Sequence, residues 1–318
     1  MTVEQEVAVT QQQIRKAASL LREGKLVAFP TETVYGLGAN ALEFLAVSRI
    51  FWAKNRPRTS PLIVHVSSIE MARSLATQWS EQAQTLAERF WPGPLTLVIG
   101  KKPMIPDIVT AGLPTVGLRM PAHPVALALL REAGVPVAAP SANRFSHLSP
   151  TTAEHVRRGL GRRVEYVLDG GPCHVGIEST VISLAGDVPV LLRPGGVSRP
   201  EIEAIIGPVA AGSTSAQGAH ASPGLHPQHY SPQTPLLLSK AGAVPEMGKG
   251  VYLQVHSTPS RDVKVIRMRN DPQEYAARLY ATLHDLDEGG YDWIAVETPE
   301  DTPEWEGVLD RLRRGSAR

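Results

Sequence analysis

Apolar residues along the chain fall into short runs and helix-spaced sets, separated by turns rich in glycine and proline. Residues 14–22 carry apolar side chains at helical spacing and close at Gly24, a residue suited to the left-handed position after a helix. The run 26–29 has strand length and stops at Pro30, which cannot donate to a ladder. Asn40 with Glu43 three positions on reads as a capping box, which starts an amphipathic helix over 41–53. Strands are predicted at 62–66, 95–99, 115–119, 135–139 and 164–168. Residues 178–183 and 188–192 read as a hairpin across Gly186-Asp187. Ser67 and Glu70 predict a capped helix to about residue 78, Ser80 caps another to Phe90, and 124–132 is a helix closed by Gly134. Thr151 and Glu154 open one more, and 200–206 is a short one.

After residue 207 the pattern changes. Residues 207–235 are rich in Gly, Ala, Ser, His and Pro and poor in apolar positions, as in a linker. Strand-like runs at 236–238, 251–255, 263–268 and 293–297 then alternate with helices at about 272–288 and 304–314. The expected organisation is α/β throughout: a large domain over 1–207, a linker over 208–235 whose length is uncommon for a passive loop and suits a lid, and a small Rossmann-like α/β domain over 236–318. No internal repeat is visible.

Composition narrows the chemistry. A net charge of +1 supplies no bulk basic field for nucleic acid, so any RNA contact is local. Cys173 is the only cysteine, which excludes a disulfide framework and fits a reducing, cytoplasmic setting. No Cys/His spacing suggests a metal site, the polar N-terminus does not read as a signal peptide, and no apolar run reaches membrane-span length.

Candidate chemistry gathers at strand exits. Thr31, Glu32, Thr33 and Tyr35 follow the strand 26–29; with Gly36, Gly38 and the helix start they read as an anion site. Gly36, Gly38 and Ala41 fit G-x-G-x-x-A, but six residues separate Phe29 from Gly36 and the region beyond is basic, so the dinucleotide fingerprint is rejected. No P-loop is present. Lys54, Arg56 and Arg58 lie in a loop stiffened by Pro57 and Pro61; the plain reading is a solvated loop, the sharper one a polyphosphate cradle. His65 sits in an apolar strand, where a core histidine is the ordinary reading. Arg119 ends a strand and needs an anion, either a substrate carboxylate or an acidic residue of the chain. Pro140-Ser-Ala-Asn143, Ser149-Pro-Thr151, Ser179-Thr180 and Arg193-Pro-Gly195 add small polar groups. Neither Ser141 nor Ser179 lies in a G-x-S-x-G elbow, Cys173 and His174 are sequence neighbours that cannot face each other on a strand, and no carboxylate pair stands out as acid and base. What remains is positioning and charge neutralisation around a phosphate reaction, with magnesium held mostly by the phosphates.

Eight motifs, in order, resemble the YrdC-like family. They are Pro30-Thr-Glu-Thr-Val-Tyr-Gly-Leu-Gly38, Lys54-Asn-Arg-Pro57, Pro61-Leu-Ile-Val-His65, Trp91-Pro-Gly-Pro-Leu-Thr96, Gly117-Leu-Arg-Met-Pro121, Pro140-Ser-Ala-Asn143, Glu178-Ser-Thr-Val181 and Leu192-Arg-Pro-Gly195. Pro223-Gly224 and His229-Tyr-Ser-Pro232 before a small α/β domain resemble the family's long two-domain form, the threonylcarbamoyl-AMP synthases. The resemblance implies a twisted mixed sheet with flanking helices. It implies a nucleotidyltransferase that converts L-threonine, bicarbonate or CO2, and ATP to threonylcarbamoyladenylate and pyrophosphate. Partner proteins would then carry the group to tRNA. By motif, Thr33, His65, Arg119, the Ala139 backbone and Ser179 would hold threonine. Lys54, Arg56, Ser60, Thr115, Ser141, Asn143, Ser149, Arg193 and Tyr230 would surround ATP, with Lys54 and Arg56 as the catalytic cations. Relatives often carry Asn or Lys in place of Ser60, and Gly in place of Asn55. Two other readings stand beside this one: an RNA-binding or ribosome-maturation protein of the same fold without adenylation, and a carbamoyltransferase maturation factor. Near-neutral charge and the lack of an aromatic strip weigh against the first. The chain lacks the acylphosphatase and zinc-finger modules expected of the second.

Overall fold

The computed structural model describes residues 9–212 and 230–317. Helix α1 (Gln11–Arg22) is closed at its start by a capping box from Thr10 and Gln13 and packs on α6 (Pro124–Ala133). The main sheet is built from β1 (Val27–Phe29), β2 (Gly36–Asn40), β3 (Ile63–His65), β4 (Leu95–Gly100), β5 (Thr115–Arg119), β6 (Val137–Ala138), β7 (Tyr166–Val167), β8 (Thr180–Ser183), β9 (Val190–Arg193) and β10 (Ala210–Ala211). Its order is β10-β9-β8-β4-β5-β3-β6-β2-β1-β7, with parallel and antiparallel pairs mixed. Helices α2 (Phe44–Lys54), α3 (Ile69–Leu75), α4 (Glu81–Phe90), α5 (Asp107–Thr110), α7 (Ala153–Leu160) and α8 (Arg199–Ile206) complete this layer arrangement.

The second sheet is entirely parallel. It comprises β11 (Leu236–Ser239), β12 (Gly250–Gln254), β13 (Lys264–Arg267) and β14 (Trp293–Glu297), in the order β11-β14-β12-β13. Helix α9 (Pro272–Asp287), N-capped by Asp271, and α10 (Glu306–Ser316) supply its apolar cover. That core is continuous with Val34, Leu148, Ile177 and Tyr230 of the preceding chain, so the small sheet is welded to the large one through side chains. At the weld Gly176 has φ 75°, and a Cβ there would stand 2.3 Å from the Ala276 carbonyl oxygen, so only glycine lets α9 approach this closely.

The segment 36–40 is a strand, not the expected glycine turn into a helix. Val27 registers with Gly38 and Phe29 with Gly36. A Cβ on Gly38 would come within 2.8 Å of the Phe29 ring and 2.9 Å of Val137, so this glycine makes room for core packing. Asn40 uses its amide on Glu43 (2.9 Å) and accepts from the Leu42 N–H (3.1 Å), which turns the chain. The helix begins only at Phe44, and its N-cap residue Glu43 gives no side-chain cap. A whole strand therefore lies between the 30–35 loop and that helix, and the helix N-terminus takes no part in an anion site there. Two further helix starts move by one residue. Ser68, not Ser67, caps α3, which ends at Leu75, and Thr152, not Thr151, caps α7. In each case the neighbouring hydroxyl with extended backbone takes the N3 amide. Of the linker, 213–229 lie outside the described residues, including Pro223-Gly224 and His229. No described helix is long and apolar enough to cross a membrane.

Candidate active site

Ile63 and His65 lie two apart on β3 and point to one face of the large sheet. Arg119 of β5 is the register neighbour of His65. On that face they line a pocket of about 50 Å3. The 31–36 loop, the Ala139-Pro-Ser141 turn, the Glu178-Ser179 pair, Arg56, Arg193 and Tyr230 complete its wall.

One end of the pocket is built from hydroxyls and a neutral imidazole. The Thr31 hydroxyl donates to the Val34 carbonyl (2.7 Å), takes the N–H groups of Thr33 and Val34 (3.2 Å each), and meets the Thr33 hydroxyl at 2.8 Å. This fixes the Thr33 side chain. The Ser179 hydroxyl is likewise held by Thr96 at 2.8 Å. His65 is 3% exposed, and its Nδ1 has no hydrogen-bond partner among the described residues. Burial, and then the nearby Arg119 charge, push its pKa down to about 3, so the ring is neutral at pH 7. Arg119 is 4% exposed. Its Nε donates to the Gly93 carbonyl (3.2 Å), and its Nη2 lies 2.7 Å from Oε1 of Glu32. That pair is in ionic contact, but the N–H is not aimed at the oxygen, so neither atom completes a hydrogen bond. The acidic-partner reading of Arg119 thus holds, with donor capacity to spare.

The other end is cationic. Arg56 is 7% exposed and spends its donors on the Ser60 hydroxyl (2.5 Å) and the Pro61 carbonyl (3.0 Å). Burial lowers its pKa to about 10. Lys54, deeper still, donates to the Ser141 and Asn143 carbonyls, and burial followed by Arg56 pushes its pKa well down. No carboxylate among the described residues is in ion-pair range of either cation. Two desolvated cations with no carboxylate in contact, Glu178 acting on Lys54 only from beyond contact range, are costly, and an anionic ligand would offset that cost. Arg193 faces the same pocket and donates to the Ser179 carbonyl (2.8 Å) and hydroxyl (3.2 Å).

The pocket wall brings together nine of the residues singled out in the sequence: Thr33, Arg56, His65, Arg119, Ala139, Ser141, Ser179, Arg193 and Tyr230. Five stand back from it. Lys54 and Asn143 brace the Ser141 turn from behind, and the Asn143 amide donates to the Arg144 and His147 carbonyls. Ser60 touches Arg56, and Ser149 is fully buried with its hydroxyl on Glu178 (2.5 Å). Thr115 shares the sheet face of Arg119 but stands four residues away along β5, roughly 13 Å, in a neighbouring cleft.

Four residues carry weight that the sequence reading did not assign. Glu32 and Glu178 lie inside quoted motifs, and their position beside pocket residues was the available signal. Glu32 steadies Arg119 and accepts the Ala122 N–H (3.0 Å). Glu178 is bonded by Ser149, by Tyr280 of α9 (3.1 Å) and by Arg311 of α10 (2.6 Å). Tyr280 and Arg311 sit in the second domain, and nothing local marks them. Both carboxylates are occupied by arginine, so they do not form an acid–base pair. Cys173 is buried, which raises its thiol pKa and keeps it protonated. Among the described residues no group of three His, Cys, Asp or Glu side chains is placed to hold a metal ion.

Residues 19–195 match the Sua5/YciO/YrdC family model, described as telomere recombination. Residues 197–317 match the model described as the C-terminal domain of threonylcarbamoyl-AMP synthase. The chain is 43% identical to a threonylcarbamoyl-AMP synthase of Bacillus subtilis, over 99% of its own length and 96% of the relative's. It is 43% identical to a protein of the same name from Pyrococcus abyssi, over 95% and 94%. The solved structure of P. abyssi Sua5 complexed with L-threonine superposes at a TM-score of 0.90 with 40% identity, covering 97% of this chain and 95% of that one.

Proposed function

The chain belongs to the Sua5/YciO/YrdC family, and from that premise we propose that it makes L-threonylcarbamoyladenylate from L-threonine, bicarbonate or CO2, and ATP. It is an adenylate-forming enzyme, and by reaction type a nucleotidyltransferase. The observation that carries the reading is the wall itself: Arg56, Arg119 and Arg193 converge on one small pocket beside neutral His65. Such a set suits a zwitterion at one end and a polyphosphate at the other.

Arg119, steadied by Glu32, offers its spare donor to the threonine carboxylate. Thr33, His65, Ser179 and the Ala139 backbone hold the hydroxyl and amine. The amine, once it has given its proton to solvent, adds to CO2 and releases a second proton to leave a carbamate, whose oxygen attacks the α-phosphorus as the bond to pyrophosphate breaks and pyrophosphate leaves. Arg56 and Arg193 neutralise the charge that develops on the phosphates, the kind of fixed electrostatic stabilisation that dominates such steps. Lys54, with Asn143, acts from behind the Ser141 turn, and Ser60 orients Arg56. Ser149 acts through Glu178. Thr115 extends the nucleotide track along the sheet face. Mg2+ travels with ATP, held by its phosphates, because Glu32 and Glu178 are both engaged. A pocket of about 50 Å3 is too small for a nucleotide, so its wall opens to admit one. The product passes to downstream transferase proteins that modify tRNA, with at most weak contact between this chain and the tRNA. The reading places the enzyme in the cytoplasm, where its one thiol stays reduced.

The test is pyrophosphate release by the purified protein, with threonine and bicarbonate omitted in turn. Release is expected only with both present. Release that ignores either omission, or no release together with no ATP binding, would overturn the proposal.

A further inference from the structure

Glu178 is buried, and two of its three strong contacts tie the pocket wall to the second domain. One oxygen accepts from Ser149 at 2.5 Å; the other accepts from Nε of Arg311 at 2.6 Å and from the Tyr280 hydroxyl at 3.1 Å. Arg311 has a fully buried side chain. Its Nη1 donates to the Pro194 carbonyl at 3.0 Å, and its guanidinium lies 5.2 Å from the Tyr230 ring centre. Apart from Asp310 and Gly307 of its own helix, the residues it grips are those next to the pocket wall. Glu178 precedes Ser179, Pro194 follows Arg193, and Tyr230 is itself wall. Tyr230 holds φ at 64°, in the left-handed region that strains a non-glycine residue and persists only under restraint. Its restraint comes from Arg311 on one side and Tyr280, 6.0 Å between ring centres, on the other.

We infer that Arg311 and Tyr280 are positioning residues of the active site, by which the C-terminal domain sets Arg193 and Tyr230 for the nucleotide, while the Ser179 hydroxyl is held from within the large sheet by Thr96. The inference rests on the proposed reading of the pocket. It makes the small domain a structural part of the nucleotide half. The threonine half is braced separately, within the large sheet, by Glu32 on Arg119 and by Thr31 on Thr33. The two halves should therefore respond differently to a change in α10.

The chemistry of the pair dictates the variants. Truncating Arg311 leaves a buried carboxylate without its charge partner, which unfolds many proteins. Arg311→Lys keeps the charge but cannot reach Glu178 and Pro194 together through a planar fork. Tyr280→Phe keeps the shape and the ion pair and removes one hydroxyl. Both are made in the full-length chain. Pyrophosphate release gives KM for ATP and kcat, and calorimetry gives Kd for L-threonine. Arg311→Lys should raise KM for ATP about tenfold or more, as expected for losing one charged hydrogen bond. Tyr280→Phe should raise it about threefold. Threonine Kd should stay within about twofold in both, since Arg119 and Glu32 are untouched. Parallel loss of ATP and threonine affinity, or a lower melting temperature with unchanged KM for ATP, would show simple domain glue and overturn the inference. If Arg311→Lys does not fold, Tyr280→Phe decides by the same criteria. An unsubstituted enzyme that releases no pyrophosphate would instead sink the functional reading, so the two failures are distinguishable.

Discussion

At the exit of β12 in the small sheet, three backbone N–H groups, of Val255, His256 and Ser257, converge on one point. Strand exits of a parallel α/β sheet are where ligands bind in many folds, and such an N–H nest suits a phosphate. Here the chain fills the nest itself: the Glu297 carboxylate of β14 accepts all three, at 2.8 Å or less. Burial raises the Glu297 pKa, but the three N–H groups outweigh it and hold the carboxyl below its usual range. The large sheet does the reverse. Arg56 and Lys54 are buried on carbonyls and a hydroxyl, and His65 keeps a bare Nδ1. At this exit the small sheet fills its nest from within; the pocket of the large sheet keeps two cations without a carboxylate in contact and an imidazole Nδ1 without a partner. On the proposed reading that difference, rather than strand topology, points to the large sheet, since the small sheet is the one whose strands are all parallel.

The largest effect that would break this comparison is substrate choice. A pocket whose hydroxyls and imidazole wait for a threonine hydroxyl should use valine worse by about ten-thousandfold, while serine, short of one methyl, loses about ten- to hundredfold. Equal pyrophosphate release with valine would mean that Thr33, His65 and Ser179 are as inwardly satisfied as Glu297. Next comes Arg56→Ala. On the proposed reading its charge neutralises developing phosphate charge, so kcat should fall by about a hundredfold or more. The melting temperature should change little, because a buried cation without a carboxylate is removed along with its desolvation cost. Glu297→Ala should show the opposite pattern. Three partly buried N–H groups lose their charged acceptor, and stability should drop by about 2 kcal/mol in urea unfolding. Turnover per folded molecule should stay within about twofold. Lost ATP affinity at unchanged stability would place ligand chemistry at the small sheet after all.

Much of this contrast was open to a reader of the sequence, and the reason differs by residue. Thr33, His65, Arg119, Ser179 and Arg193 lie in short motifs on or beside central strands, where local pattern and spatial position coincide. The strands and helices of the small domain were legible because each has clean boundaries, down to the Asp271 cap of α9. The 36–40 segment misled for a physical reason. Two glycines and a capping pair usually make a turn into a helix, and only tertiary packing of Gly38 against Phe29 and Val137 turns them into a buried strand. Arg311 and Tyr280 were out of reach altogether. They meet Glu178 across 133 and 102 positions of sequence, and no local periodicity reports a contact of that separation. Lys54 was legible as a cation but not as one that acts from behind a turn, since burial of its Nζ depends on where 141–143 pass.

The smallest effect concerns acid, and it tests whether the bare imidazole of the large sheet is as desolvated as its surroundings imply. His65 has a folded pKa of about 3 against an ordinary 6.5. A depressed value means that the unfolded chain binds the proton first. Its contribution to stability is then complete above pH 6.5 and shrinks as pH falls toward 3. Within that window one proton is taken up on unfolding, a slope of about 1.4 kcal/mol per pH unit. His155, which stacks on His284 at the seam with α9, has a similarly low pKa of about 3 and adds a slope of the same sign. The measurement is therefore a difference. Unfolding free energies of the unsubstituted protein and of His65→Asn, taken at pH 7, 6 and 5, should converge as pH falls. Between pH 6 and 5 the gap should close by about 1 kcal/mol. A constant gap would show that His65 titrates alike in both states, and so that the threonine end of the pocket is wetter than a closed 50 Å3 cavity allows.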